Sequence, residues 1–316
     1  MTNARSPLHG RVRLDVPPCR IRKRMLSQLL SGGCALVCLF GPARLSAQAL
    51  GILLTNDDGF EAPGLTTLAA ALTAAGHSVT IVAPLDDRSG SGMSMTTGGA
   101  IDYYQQEEGV WAIDGTPSDA VTLGLVHVLR DNPPDLVISG MNFGHNVGAN
   151  LGSSGTVGAA ITGARAGVPA IAVSVAIDGR EVDGATPFAS TTAAFEPAAA
   201  FVVEVVRQLA ETGGAGILPP RAVLNVNYPA AGRAEPEGVR FATVSSLRGF
   251  RQVFSVAGDT GPARVETVPA NTDRAEEGSD LALVTTGFVT ISVLDGDWDA
   301  GSASWEPLLA RLIIER

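Results

Sequence analysis

Two adjacent aspartates, Asp57 and Asp58, stand directly behind the apolar run "GILLT" (51–55). Three more polar clusters lie at or near the ends of later apolar segments: "DDRSGSG" (86–92), "SGMNFG" (139–144) and "SSGTVG" (153–158). Asp57 and Asp58 offer carboxylate oxygens, Ser89 a hydroxyl and Asn142 an amide carbonyl. Such an all-oxygen set suits one hard divalent cation, Mg²⁺ or Mn²⁺ before others. A cation would also relieve the repulsion between neighbouring carboxylates, which otherwise raises one of their pKa values. Taken singly, each cluster is an ordinary turn, loop or helix start. Their recurrence after successive strands is what favours a site, because ligands of open α/β sheets bind outside the carboxyl ends of the strands.

The elements that must position these groups are legible as alternating apolar runs and helical patterns. "GILLT" reads as a buried strand, "GLTTLAAALTAAG" as a helix ending at Gly76, and "SVTIVAP" as the next strand, a βαβ unit. "AIDYYQQEEGVWAIDG" reads as a hairpin, and "PSDAVTLGLVHVLR" as a helix with Thr116 at its N-cap, Pro117 at N1 and Asp119 at N3. "DLVISG", "GTVGAAITGARAG" and "AIAVSVA" continue the strand, helix, strand order. The segment 188–211 predicts a long helix that Pro197 kinks or splits. Strands in "AVLNVNYP", "VRFATVS" and "FVTISVL" follow, then a closing helix in "SWEPLLARLIIE". The stretch 258–280 reads as loop. The expected fold is α/β, a Rossmann-like three-layer core around a mostly parallel sheet, extended by the C-terminal strands and the closing helix.

Residues 1–49 differ from the rest. Arg20, Arg22, Lys23 and Arg24 precede the apolar "MLSQLLSGGCALVCLFG", and "SAQA" ends at Ala49, the pattern of a secretory signal cleaved before Leu50. Ser27, Gln28, Ser31, Gly32 and Gly33 dilute the apolar run, which is short for a membrane span, so no stable membrane anchor is expected. The expected organisation is a signal peptide, 1–49, and a single domain, 50–316, exported to the periplasm or secreted.

That division sharpens the chemistry. Residues 1–49 hold eight of the 22 Lys and Arg and one of the 32 acids, leaving 14 bases against 31 acids and a formal charge of −17. Such a surface repels nucleic acid polymers and acidic membranes. Cys19, Cys34, Cys38 and Lys23, the three cysteines and the one lysine of the chain, all lie in the first segment. The remainder therefore has no disulfide, thiolate nucleophile, Walker lysine or Schiff-base lysine, and no G-x-S-x-G elbow. His77, His127 and His145 are too far apart to suggest a histidine-rich zinc centre. The acidic run 295–306 matches positions 1, 3, 5 and 12 of a calcium loop, but Ala300 stands where that loop needs Gly, so it reads as an acidic turn.

The blocks "ILLTNDDGFEAPG", "VAPLDDRSGSGMSMT", "DGTPSDAV", "PDLVISGMNFGHNVG", "SSGTVGAA" and "GVPAIAVS" also occur in the order and spacing of the SurE family of metal-dependent nucleotidases. The chain resembles that family from about residue 51 to 175, with weaker echoes in "VLNVNYP" and "GSDLALVTTGFVTISVL". The resemblance implies a Rossmann-like core, one divalent cation on Asp57, Asp58, Ser89 and Asn142, and phosphate binding by Ser154, Gly155 and Thr156. It implies phosphomonoesterase activity on nucleoside monophosphates, with Asp57 or Asp58 orienting or deprotonating water, and a homodimer or homotetramer. Ser153 stands where the family usually has Tyr, and Ala149 where acids are common, which leaves the substrate lip open. His145 reads as a solvated loop histidine rather than a catalytic acid. No arginine cluster accompanies the metal motifs, so monophosphates are expected over ATP. Two other functions compete. An NAD-type Rossmann enzyme needs a Gly-rich turn where Asp57 and Asp58 stand, whereas an exported small-solute-binding protein would bind without turnover.

Overall fold

The computed structural model describes residues 48–181, 188–211, 218–230, 235–258 and 260–296. The signal segment up to residue 47 and the closing helix expected in 304–315 lie outside the described residues, as does the acidic run beyond Gly296.

Nine strands form one sheet in the order β3-β4-β2-β1-β5-β6-β7-β11-β8. Its centre is parallel: β1 (Gly51–Thr55) lies between β2 (Ser78–Pro84) and β5 (Leu136–Phe143), and β6 (Ala170–Val175) and β7 (Ala222–Tyr228) follow. These strands read as continuous apolar runs because helices cover both faces. Alternate residues serve the two sides. Ile52 and Leu54 of β1 face α1 (Pro63–Ala74) and α4 (Ala189–Glu211), whereas Leu53 faces α2 (Pro117–Leu123) and α3 (Gly155–Arg165). On α1 the spacing Leu65, Leu68, Leu72 puts three buried side chains on one stripe, and Gly64 lets that helix ride on the Met141 carbonyl, where a Cβ would stand 2.1 Å from the oxygen.

The hairpin expected in 100–115 is β3 (Tyr103–Glu107) and β4 (Val110–Ile113), antiparallel to each other, with β4 parallel to β2. α2 starts as expected: the Thr116 hydroxyl accepts from the Asp119 N–H at 3.2 Å and the Asp119 carboxylate accepts from the Thr116 N–H at 3.0 Å. It runs on into a π-helical turn at Gly124–Val128.

Two expectations need correction. Pro197 does not split its helix, since α4 is continuous for 23 residues. Buried Ala194, Phe195, Ala198 and Ala199 flank the proline in the core cluster shared with α1, so tertiary packing offsets the missing hydrogen bond. The stretch read as loop contains β10 (Ala263–Pro269), paired along its whole length with β9 (Phe250–Val256). Nearly every residue of this hairpin is exposed, so the strands carry no apolar alternation. Beyond β7, β11 (Val289–Asp295) pairs antiparallel with β7 and parallel with β8 (Val239–Phe241), making the sheet mixed at both edges.

Candidate active site

The turn after β1 is closed by Asn56, whose side-chain amide donates to the Gly59 carbonyl at 2.8 Å, and Gly59 supplies the positive φ of 105° that the turn requires. The loop after β2 is stitched to it by the Arg88 N–H, which donates to the Asp57 carbonyl at 2.7 Å. A third contribution comes from the end of β5, where the register with β6 shifts between Ser139 and Asn142. The fourth is the start of α3, with Ser154 as N-cap accepting from the Val157 N–H at 3.1 Å.

These four meet at a cavity of about 640 Å³, lined among others by Asp57, Ser89, Asn142, Ser153 and Ser154. The volume is in the range that holds a small organic ligand and far more than one phosphate needs. Asp57 is buried, its carboxylate accepting from the Thr156 hydroxyl at 2.5 Å. Gly155 makes room for it: a Cβ there would stand 2.8 Å from Asp57 Oδ2. Asp58 is half-buried, and its Oδ2 accepts from the Phe143 N–H at 2.9 Å, which ties it to the same end of β5 that carries Asn142. Asn142 commits its Nδ2 to the Gly144 carbonyl at 2.6 Å, leaving Oδ1 as the atom available to a ligand. Ser89 is exposed on the cavity wall, its N–H held by Asp87 at 2.8 Å.

The electrostatics of the pair are strained. Burial raises the pKa of Asp57 against the hydrogen bonds from Thr156 that lower it. Burial first, then the neighbouring charge of Asp57, pushes Asp58 up to about 7. Among the described residues neither carboxylate has an ion-pair partner. Asp57, Ser89 and Asn142 line the cavity, whereas Asp58 is not among its lining residues and joins them through Asp57 and the end of β5. Two adjacent desolvated carboxylates with an amide oxygen and a hydroxyl fit a hard divalent cation. Among the described residues no group of three or more His, Cys, Asp or Glu is arranged to hold a metal. A cation here would therefore rest on two carboxylates completed by neutral oxygens.

Of the residues expected to bind phosphate, Ser154 lines the cavity, while Gly155 and Thr156 sit just behind it in the first turn of α3. Thr156 is engaged with Asp57 through both its hydroxyl and its backbone N–H. The Gly155 N–H has no helical carbonyl within reach and stays available.

Sequence reasoning passed over the support beneath Asp57. Asn146 donates through Nδ2 to Thr156 Oγ1 at 3.4 Å and to Ser174 Oγ at 2.9 Å. Its N–H donates to Asn227 Oδ1 at 2.7 Å, and its carbonyl accepts from Asn225 at 2.9 Å and Asn227 at 3.0 Å. The available signal was "VLNVNY", two asparagines in a strand that is buried on both faces. His145 was read as solvated, but it is buried, held down to a pKa of about 4 by desolvation, and its ring lies 4.7 Å from that of Phe250. The β9 segment lies over it, which sequence spacing alone does not reveal. Arg248, Phe250 and Arg251 are further cavity-lining residues that sequence reasoning missed, because β9 and the residues just before it show no apolar alternation that marks a strand.

Comparison with known proteins agrees with this geometry. The family model described as survival protein SurE matches residues 52–249. The chain is 36% identical over 256 residues to the 5'-nucleotidase SurE of Rhizorhabdus wittichii, covering 78% of this chain and 93% of that protein. It is 42% identical over 250 residues to the 5'-nucleotidase SurE of Pelobacter propionicus, with coverage of 78% and 93%. The crystal structure of the SurE protein from Aquifex aeolicus superposes with a TM-score of 0.67 at 29% identity, covering 83% of this chain and 98% of that one. On a match that takes in all four loops of the cavity, the chain belongs to the SurE family.

Proposed function

We propose that this protein is a divalent-cation-dependent phosphomonoesterase, a 5'-nucleotidase that releases phosphate from nucleoside 5'- or 3'-monophosphates. The observation that carries the reading is the pair of desolvated carboxylates, without a cationic partner, beside the N-terminus of α3. The relatives named 5'-nucleotidase supply the leaving group.

A Mg²⁺ or Mn²⁺ ion held by Asp57, Asp58, Ser89 and Asn142 would polarise the phosphoryl group and make an attacking water more acidic. The residues do the rest. Asp57, fixed by Thr156 and backed by Gly155, keeps its carboxylate in one orientation. Asp58, the more exposed of the two, orients the water and takes its proton. Ser154, Gly155 and Thr156 form the phosphate-binding segment, in which the Gly155 N–H and the Ser154 hydroxyl proton are the donors not already engaged, on the positive end of the α3 dipole. His145, neutral at physiological pH, contributes apolar surface rather than a proton. The test is kcat/KM for AMP, GMP, UMP and ATP at fixed Mn²⁺. Monophosphates should be preferred with loose base selectivity, and failure to release phosphate from any of them would favour the solute-binding reading.

We further propose that the protein acts outside the cytoplasm, supported by the basic, apolar and small-residue pattern of residues 20–49. Intact mass of protein from its native host should show a chain starting near Leu50; residues 1–49 retained on a soluble protein would count against export. Self-association into a dimer or tetramer fits the apolar groups left exposed on β8 to β10, Phe241, Phe254, Val256 and Val265.

A further inference from the structure

The wall of the cavity that rests on Gly148 and Asn150 does something that binding one phosphate does not require. It is built by the strip Arg248 to Gln252 and by Thr267 across the β9–β10 hairpin, and it carries two cations, Arg248 and Arg251. Among the described residues, Arg88, Arg130, Arg180 and Arg207 are each held by a carboxylate. The guanidinium groups of Arg248 and Arg251 have no ion pair and no hydrogen bond there. In a chain with a formal charge of −10, two unpaired arginines on one cavity wall concentrate positive potential where a ligand sits.

The strip is also anchored, so the arginines are carried on a fixed backbone. Asn150 accepts from the Gly249 N–H at 2.8 Å and the Phe250 N–H at 3.2 Å, and its Nδ2 donates back to the Phe250 carbonyl at 3.2 Å. Just upstream, the buried carboxylate of Asp280 accepts from the Ser245 N–H at 2.9 Å and the Gly148 N–H at 3.0 Å, locking the two loops together. Gly148 itself has a φ of 56°, and a Cβ there would stand 2.2 Å from the Leu247 carbonyl. Between the arginines, the Phe250 ring packs on buried His145.

We propose that this wall binds a second phosphate on the leaving side of the ester, so that nucleoside 3',5'-bisphosphates are better substrates than nucleoside monophosphates. The inference rests on the phosphomonoesterase reading and deepens it. With one phosphate at Asp57 and Ser154, the nucleoside extends toward Phe250, and the other phosphate meets Arg248 and Arg251, whose forked donors suit phosphate oxygens. A diphosphate chain differs, because its second phosphate stays beside the first instead of crossing the cavity with the ribose.

The test compares kcat/KM for adenosine 3',5'-bisphosphate, AMP and ADP at fixed Mn²⁺ in the wild-type protein and in the Arg248→Ala/Arg251→Ala double variant. The wild type should favour the bisphosphate over AMP by about tenfold or more, the size of a charge-assisted contact. That ratio should fall toward one in the double variant and shrink as ionic strength rises. Equal kcat/KM for bisphosphate and AMP in the wild type overturns this inference and leaves the nucleotidase intact. An arginine-dependent preference for ADP over the bisphosphate overturns it as well. Release of phosphate from none of the three overturns both readings together.

Discussion

Thr156 spends its hydroxyl on a carboxylate rather than on the cavity, and that choice defines what it contributes. Removing the hydroxyl in Thr156→Val would leave Asp57 Oδ1 without its 2.5 Å donor, in a site already short of positive charge. We expect kcat for AMP to fall about 10–100-fold, as when a group orienting a metal ligand is lost. Thr156→Ser should restore most of it, and equal activity in the valine variant would remove Thr156 from the site. His145 makes a different prediction. Its folded pKa of about 4 lies below the ordinary 6.5, because burial disfavours the charged ring. Above pH 6.5 it is neutral in both states and costs nothing. As pH falls below 6.5 the unfolded chain takes the proton first, so stability drops until about pH 4, where the folded protein is protonated too. Between pH 7 and pH 5 the loss should be about 2 kcal/mol from this residue. Urea unfolding of wild type and His145→Gln at both pH values checks it: the variant should lose correspondingly less. Neither role was legible in the sequence. The Asp, Ser and Asn ligand candidates announce themselves by type and position, whereas Thr156 and His145 take their meaning from what packs against them.

At the scale of elements, the start of α3 shows how a helix terminus and a carboxylate are fitted together. Gly155 is buried at the first helical position, where alanine would be the better helix former. A Cβ there meets Asp57 Cβ and Oδ2 at 2.8 Å and Ser91 Oγ at 2.7 Å, closer than atoms tolerate. Gly155→Ala should therefore give a folded protein with a lowered thermal midpoint, the clash outweighing the gain in helix propensity, and should lower kcat about 100-fold, because displacement of a catalytic group by about 1 Å has that effect. An alanine variant with wild-type kcat would contradict the fitted arrangement. Where elements bury a face they were readable: β1, α1, β2 and the capping box of α2 all appear at the expected residues. The β9–β10 hairpin was not, because its strands are held by backbone pairing and project exposed side chains on both sides. Arg248, Phe250 and Arg251, just before and at the start of β9, escaped the candidate site for the same reason.

For the whole molecule, the alternation of strand and helix was enough to expect a parallel sheet covered on both faces. It was not enough to order the edges. β11 inserts between β7 and β8 although β7 and β8 are neighbours in sequence, and β4 joins the opposite edge parallel to β2 through a hairpin. Such pairings are between residues distant in sequence and leave no local periodicity. The sheet matters to function because it delivers the turns after β1 and β2, the end of β5 and the start of α3 to one place. The most direct measurement is phosphate release from AMP by the wild type and by Asp58→Asn, each with Mn²⁺ and with EDTA, beside a thermal melt of both. The wild type should turn over with the cation and stop in EDTA, while Asp58→Asn should melt as a folded protein and be slower by orders of magnitude. Undiminished phosphate release in EDTA, or by Asp58→Asn, would contradict a cation held at the Asp57–Asp58 pair.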